Sequence, residues 1–188
     1  MSVTRQPVSI AAVTQTRAVQ QMDVTGAGIP DDVPSPVLAA AWARLGILRT
    51  ERVPLWAAHW IVAGHDGEQL VCLAGLHGDD PRDVRDALPG ALADCGVAWP
   101  ESDAAAAAVA FTHLARVHLA GRAGALWVAR TVEEIARSCG YSADVLALPL
   151  GRVEGIADAW GAGWAGTDEQ LAATVAAACA EQLAARPQ

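Results

Sequence analysis

The sequence predicts an all-α fold: a compact bundle of about seven helices, carrying helix-turn-helix-like pairs, behind an extended N-terminal arm. Two patterns carry that prediction. After Pro36 the apolar residues recur at helical spacing almost throughout. Each periodic run is also punctuated by helix signals, with Ser, Thr or Asp and often Pro at its start and Gly at its end. Residues 1–36 lack both patterns. There VSIAAVTQTRAVQQMDV is rich in Val, Thr and Gln, and DVTGAGIPDDVPSP is built of turn formers. The chain therefore divides into an arm and linker over 1–36, the linker lying around Gly26–Pro36, and a single helical domain over 37–188.

The helices follow in order. PVLAAAWARLG places Ser35 as N-cap, Pro36 at N1 and Gly46 as the stop. VPLWAAHWIVAG repeats the device with Pro54 and Gly64. It stacks Trp56 on Trp60 at i,i+4, with Leu55, His59 and Val62 beside them. DGEQLVCLAGL predicts a short helix over Asp66–Leu76. DPRDVRDALPGALADCG opens on Asp80 as cap, with Pro81 at N1 and Asp83 facing the positive end of the helix dipole. Pro89 is expected to kink or split it. The longest helix runs from Glu101 to Gly124. GALWVAR, 124–130, reads as a strand or as the lead-in to the next helix, for which Thr131 and Glu134 form a capping box. Thr167 and Gln170 form another, starting the last helix.

Composition excludes several classes. A chain of 188 residues can bury roughly 70% of its unfolded surface without a disulfide or metal, and its 53% hydrophobic content fits a globular core. Much of that is alanine, so Leu, Val and seven Trp must set the packing. All 13 basic residues are arginine; with the alanine excess this reads as a GC-rich, bacterial coding bias. A net charge of −8 opposes nucleic acid and anionic membranes as partners. No apolar run has the length of a secretory signal or a membrane span, so a cytoplasmic protein is expected. Cys72, Cys95, Cys139 and Cys179 form no C-x-x-C pair and are read as free, buried thiols.

Thr131–Ser142, TVEEIARSCGYS, carries Glu134, Ile135, Ala136, Gly140 and Ser142 in the pattern E-I-A-x-x-x-G-x-S. It resembles the first helix and turn of helix-turn-helix regulators of the AraC and LuxR kinds. The resemblance covers twelve residues and implies a recognition helix in SADVLALPLGRVEG. That segment offers Asp144, Pro149 and the single Arg152, the wrong chemistry for phosphates and base edges. GAGWAG, Gly161–Gly166, matches G-x-G-x-x-G but lacks the preceding strand that a dinucleotide site needs.

No H-E-x-x-H, E-x-x-H, G-x-S-x-G or P-loop occurs. His113 and His118 lie five apart, about 140° round a helix, too divergent to share a metal. No catalytic residue, metal ligand or cofactor is therefore assigned. The expected function is a non-catalytic protein-interaction module of a bacterial cytoplasm, with a protein partner or self-association and the arm as a docking element. The first alternative is a small-molecule-binding protein or enzyme whose pocket gathers Trp56, His59, Trp60 and His113 or His118. The second is a helix-turn-helix-derived regulator. Trp160 and Trp164, four apart, complete the interaction candidates.

Overall fold

Ser35 opens the first helix as its sequence predicts. Its Oγ accepts the Leu38 N–H at 3.3 Å, and Pro36 follows at a position where a missing N–H costs nothing. In this computed structural model, which describes residues 33–185, eight α-helices and three single turns of 3₁₀ helix follow one another, with no strand among the described residues. The all-α prediction holds. The arm lies, apart from its last residues, outside the described residues.

The α-helices are α1 Pro36–Arg44, α2 Val53–Val62, α3 Glu68–Ala74, α4 Pro81–Asp94, α5 Asp103–Leu119, α6 Ala125–Ser138, α7 Ala143–Leu146 and α8 Asp168–Ala184. Helix α5 is central and packs on α1, α6 and α8, while α3 packs between α2 and α4. The buried face of α5 is mostly alanine: Ala106, Ala107, Ala110 and Ala115 sit among Phe111, Leu114 and Val117. On α1, Ala39, Ala40 and Ala41 are buried as well. At one end of this contact Arg44 Nε donates to Asp103 Oδ1 at 2.7 Å, and the same guanidinium donates to the Pro100 carbonyl at 3.3 Å. Each charge also suits the dipole of its own helix end.

Three local expectations are corrected. The capping box at Thr131 does not form, because α6 begins six residues earlier, after Gly124. GALWVAR is its first turns rather than a strand: Val128, Val132 and Ile135 make one continuous buried stripe. Thr131 is mid-helix and donates its hydroxyl to the Trp127 carbonyl at 2.9 Å. Pro89 does not split its helix, for α4 runs unbroken through it. Pro89 lies on the exposed side, where the carbonyl it leaves without a donor faces water. Helix α3 is shorter than Asp66–Leu76 because its start is set from outside. Asp94, at the end of α4, accepts the Leu70 N–H at 2.9 Å and acts as a cap 24 residues away in sequence. Gly67 makes room for it, since a Cβ there would fall inside the Asp94 carboxyl.

From Ala143 to Trp160 the chain makes only short turns: α7, then 3₁₀ turns at Leu150–Val153 and Ile156–Ala159. Gln182 of α8, 4% exposed, holds this stretch down. Its Oε1 accepts the Leu150 N–H at 3.2 Å and its Nε2 donates to Thr112 Oγ1 of α5 at 3.4 Å. Thr112 in turn donates to the Ala108 carbonyl at 2.7 Å. Gly151 is equally constrained, because a Cβ there would run into the Val145 carbonyl oxygen. Substituting Gln182→Leu strands the buried Leu150 N–H and is expected to cost about 1–3 kcal/mol. Gly151→Ala is expected to cost a similar ~1–3 kcal/mol through overpacking. Urea denaturation of each variant against wild type measures both.

Candidate functional site

Trp56 and Trp60 are both buried on the inner side of α2, the consequence of their i,i+4 spacing. Trp60 Nε1 donates to the Pro34 carbonyl at 2.8 Å, fastening the chain just ahead of α1 onto α2. Trp56 meets Trp42 of α1 with ring centroids 5.9 Å apart and planes tilted by 54°. Trp42 receives His113 of α5 edge-on at 5.8 Å and 83°. The Arg52 guanidinium stands 6.0 Å from the centre of the Trp56 ring. Three helices thus contribute one aromatic cluster, and its hub is Trp42. Sequence reasoning missed that role, although Trp42 lies at helical spacing between Leu38 and Leu45, both buried.

The expected grouping around His59 separates in the fold. His113 joins Trp56 through Trp42, but the His59 side chain is exposed on the outward side of α2. One helical residue turns through about 100°, so a position between Trp56 and Trp60 can point away from both. His118 lies near the end of α5, where Nδ1–H donates to the Ala123 carbonyl at 2.8 Å, a helix-terminal bond. No group of three or more His, Cys, Asp or Glu is placed to hold a metal ion among the described residues. None of the described helices is long and apolar enough to cross a membrane.

Three of the thiols, Cys95, Cys139 and Cys179, are held away from the thiolate form. Burial pushes the Cys95 thiol up, with the neighbouring Asp94 charge adding to it. Cys139 is raised chiefly by burial. Cys179, fully buried on α8, is pushed up to about 11 by the same cause. A reactive cysteine needs the opposite shift. Of the four thiols expected to be buried only Cys179 is: Cys95 and Cys139 are half-buried and Cys72 is exposed.

The glycine-rich stretch at 161–166 follows a 3₁₀ turn, so the strand required by a dinucleotide fold is missing. It forms a loop whose Gly161, Gly163 and Gly166 take positive φ, of 72°, 72° and 114°. Its base is braced on α8. The Gly161 N–H donates to Asp168 Oδ1 at 2.9 Å. Thr167 and Gln170 exchange the two bonds of the predicted capping box. On this braced loop Trp164 is 71% exposed, while Trp160 is half-buried at its root.

The helix-turn-helix resemblance ends at its turn. Gly140 and Tyr141 have φ of 60° and 56°, and the Tyr141 N–H closes α6 on the Ala136 carbonyl at 2.8 Å. The segment that would present a recognition helix instead gives the four residues of α7, with Asp144 in their first turn. No protein-family model, curated protein or solved structure matches this chain.

Two measurements check this description. Acrylamide quenching is expected to lose its most accessible tryptophan component in Trp164→Phe, while Trp42→Phe leaves that component in place. Thiol titration is expected to find Cys72 reactive in the folded protein and Cys179 reactive only after unfolding. The folded state keeps a Cys179 proton that the unfolded chain sheds above its ordinary value of 9.0. Stability is therefore expected to fall as pH rises from that value towards 11, and Cys179→Ala flattens this part of the profile.

Proposed function

We propose that this protein is a non-catalytic helical interaction module of a bacterial cytoplasm, and that it engages a protein partner through the Trp160–Gly166 loop with Trp164 as anchor. The observation that carries this reading is an indole left 71% in solvent on a loop held at its base by Asp168 and the Thr167–Gln170 box. A large aromatic pre-positioned at low entropic cost is the residue type that dominates protein interfaces. The raised Cys95, Cys139 and Cys179 thiols and the separation of His59 from His113 favour binding over catalysis. The net charge of −8 favours a protein over a nucleic acid.

Tagged full-length protein and Trp164→Ala, incubated side by side with extract of the native host, test it. Wild type is expected to retain a partner that the variant loses. With that partner purified, the substitution is expected to weaken binding by at least about 2 kcal/mol, the scale of an interface anchor. Equal retention by the two proteins excludes the loop as the docking point.

A further inference from the structure

The stretch from Glu154 to Glu169, which contains the Trp160–Gly166 loop, carries four carboxylates and no arginine. Half of the chain's net charge of −8 is thus gathered within sixteen residues. Asp158, Asp168 and Glu169 are exposed and Glu154 is half-buried. None of the four takes part in an ion pair among the described residues, whereas Arg44 pairs with Asp103, Arg49 with Glu51 and Arg137 with Glu133. The nearest arginine in sequence, Arg152, is engaged by Glu181 at 3.5 Å, 13 residues beyond Asp168 on α8. At about 1.5 Å of rise per residue, that pair lies roughly 20 Å along the helix from Asp168. Helix α6 packs on α8 and on the Ile156–Ala159 turn and carries Arg130 and Arg137, but neither pairs with these carboxylates. The dipole of α8 favours Asp168 and Glu169 at its start, yet its positive end amounts to only about half an elementary charge.

We infer that the partner docking on this loop presents a cationic segment, with an arginine side chain stacked on the Trp164 indole and its charge facing Asp158, Asp168 and Glu169. The inference rests on the reading of the loop as the docking point and adds the chemistry of what docks. Trp164 is 71% exposed, and no cation of the described residues stands over its ring. Of the aromatic side chains, indole attracts a guanidinium most strongly, within about 6 Å of the ring centre. The protein already holds one such contact, the Arg52 guanidinium 6.0 Å from the centre of the Trp56 ring. A planar guanidinium that stacks on a ring keeps its N–H groups directed outward, towards carboxylates beside that ring. One of those carboxylates is fixed at the base of the loop, because Asp168 Oδ1 accepts the Gly161 N–H at 2.9 Å. Other segments fit less well. An acidic one meets four like charges, and an apolar one covers carboxylates without pairing them.

Nitrogen–proton NMR of the full chain is the test, with the Trp164 indole signal assigned by its loss in Trp164→Phe. The probes are a short peptide alternating arginine and serine, the same peptide with citrulline for arginine, and one alternating glutamate and serine. The arginine peptide is expected to move the Trp164 signal and to leave that of the buried Trp42 in place. The citrulline and glutamate peptides are expected to move neither. The side chains of Asp158 and Glu169 make no hydrogen bond or ion pair among the described residues. Asp158→Asn with Glu169→Gln is therefore expected to keep the wild-type circular dichroism, and it leaves the Asp168 brace intact. This double variant is expected to bind the arginine peptide about fivefold more weakly, the effect of losing two exposed ion pairs. Equal movement by the citrulline peptide, or unchanged affinity in the double variant, overturns the inference and leaves Trp164 as the docking point. A Trp164 signal that no peptide moves overturns it as well, and retention by Trp164→Ala in host extract decides separately whether the loop docks a protein at all.

Discussion

The packing of α1, α6 and α8 on α5, whose buried side is rich in alanine, is the constraint on which the rest of this structure depends. Ala106, Ala107, Ala110 and Ala115 are buried on α5 among Phe111, Leu114 and Val117, and Ala39, Ala40 and Ala41 are buried on α1. A methyl group contributes on the order of 0.8 kcal/mol on burial, well below the ~1.5–3 kcal/mol of a Leu or Phe side chain. A core of such residues holds only if the helices come close enough for dispersion contacts to accumulate along their length. Close approach in turn leaves little tolerance for a shift of α1, α6 or α8 against α5. Larger residues, Phe111, Trp42 and Trp56 among them, are buried alongside these alanines.

The polar groups inside are arranged to keep that approach in register. Gln182 ties α8 to α5 and to the turn at Leu150 with one amide, so three segments far apart in sequence share one buried hydrogen-bonded group. Asp94 ties α4 to α3 in a similar way, supplying the cap that α3 lacks. Neither is a surface ion pair of the kind that contributes little to stability, as the solvent-exposed Arg137–Glu133 pair on α6 is. Each satisfies a backbone N–H at a helix or turn start, where an orphan donor is costly.

What remains outside this arrangement is where function is sought. Trp164 and the outward side of α2 are apolar without being needed by the core. They differ in kind: one is a single ring on a loop braced at its base, and the other is one side of a helix whose opposite side is buried. The aromatic cluster of Trp42, Trp56 and His113 is the reverse case. It gathers residues of the types that line ligand sites, but it joins α1, α2 and α5 as part of their packing.

The sequence by itself determined the fold class and most helix starts, because those signals are local. Ser35 with Pro36, Asp80 with Pro81, and Thr167 with Gln170 act within four residues of themselves, and each forms the cap it predicts. Thr131 with Glu134 has the same letters and fails, because the apolar stripe from Val128 carries the helix through it. Which side of α2 faces inward was not legible, since every position from Val53 to Val62 is free of charge and periodicity alone assigns no orientation. The tertiary structure decided it, through Trp42 and the Pro34 carbonyl, and so placed Trp56 and Trp60 inside and His59 outside. It likewise decided that Asp94 caps α3 and that Gln182 is buried. Burial and hydrogen-bond pairing across 24 or 32 residues depend on which surfaces meet, and no window of sequence contains both partners.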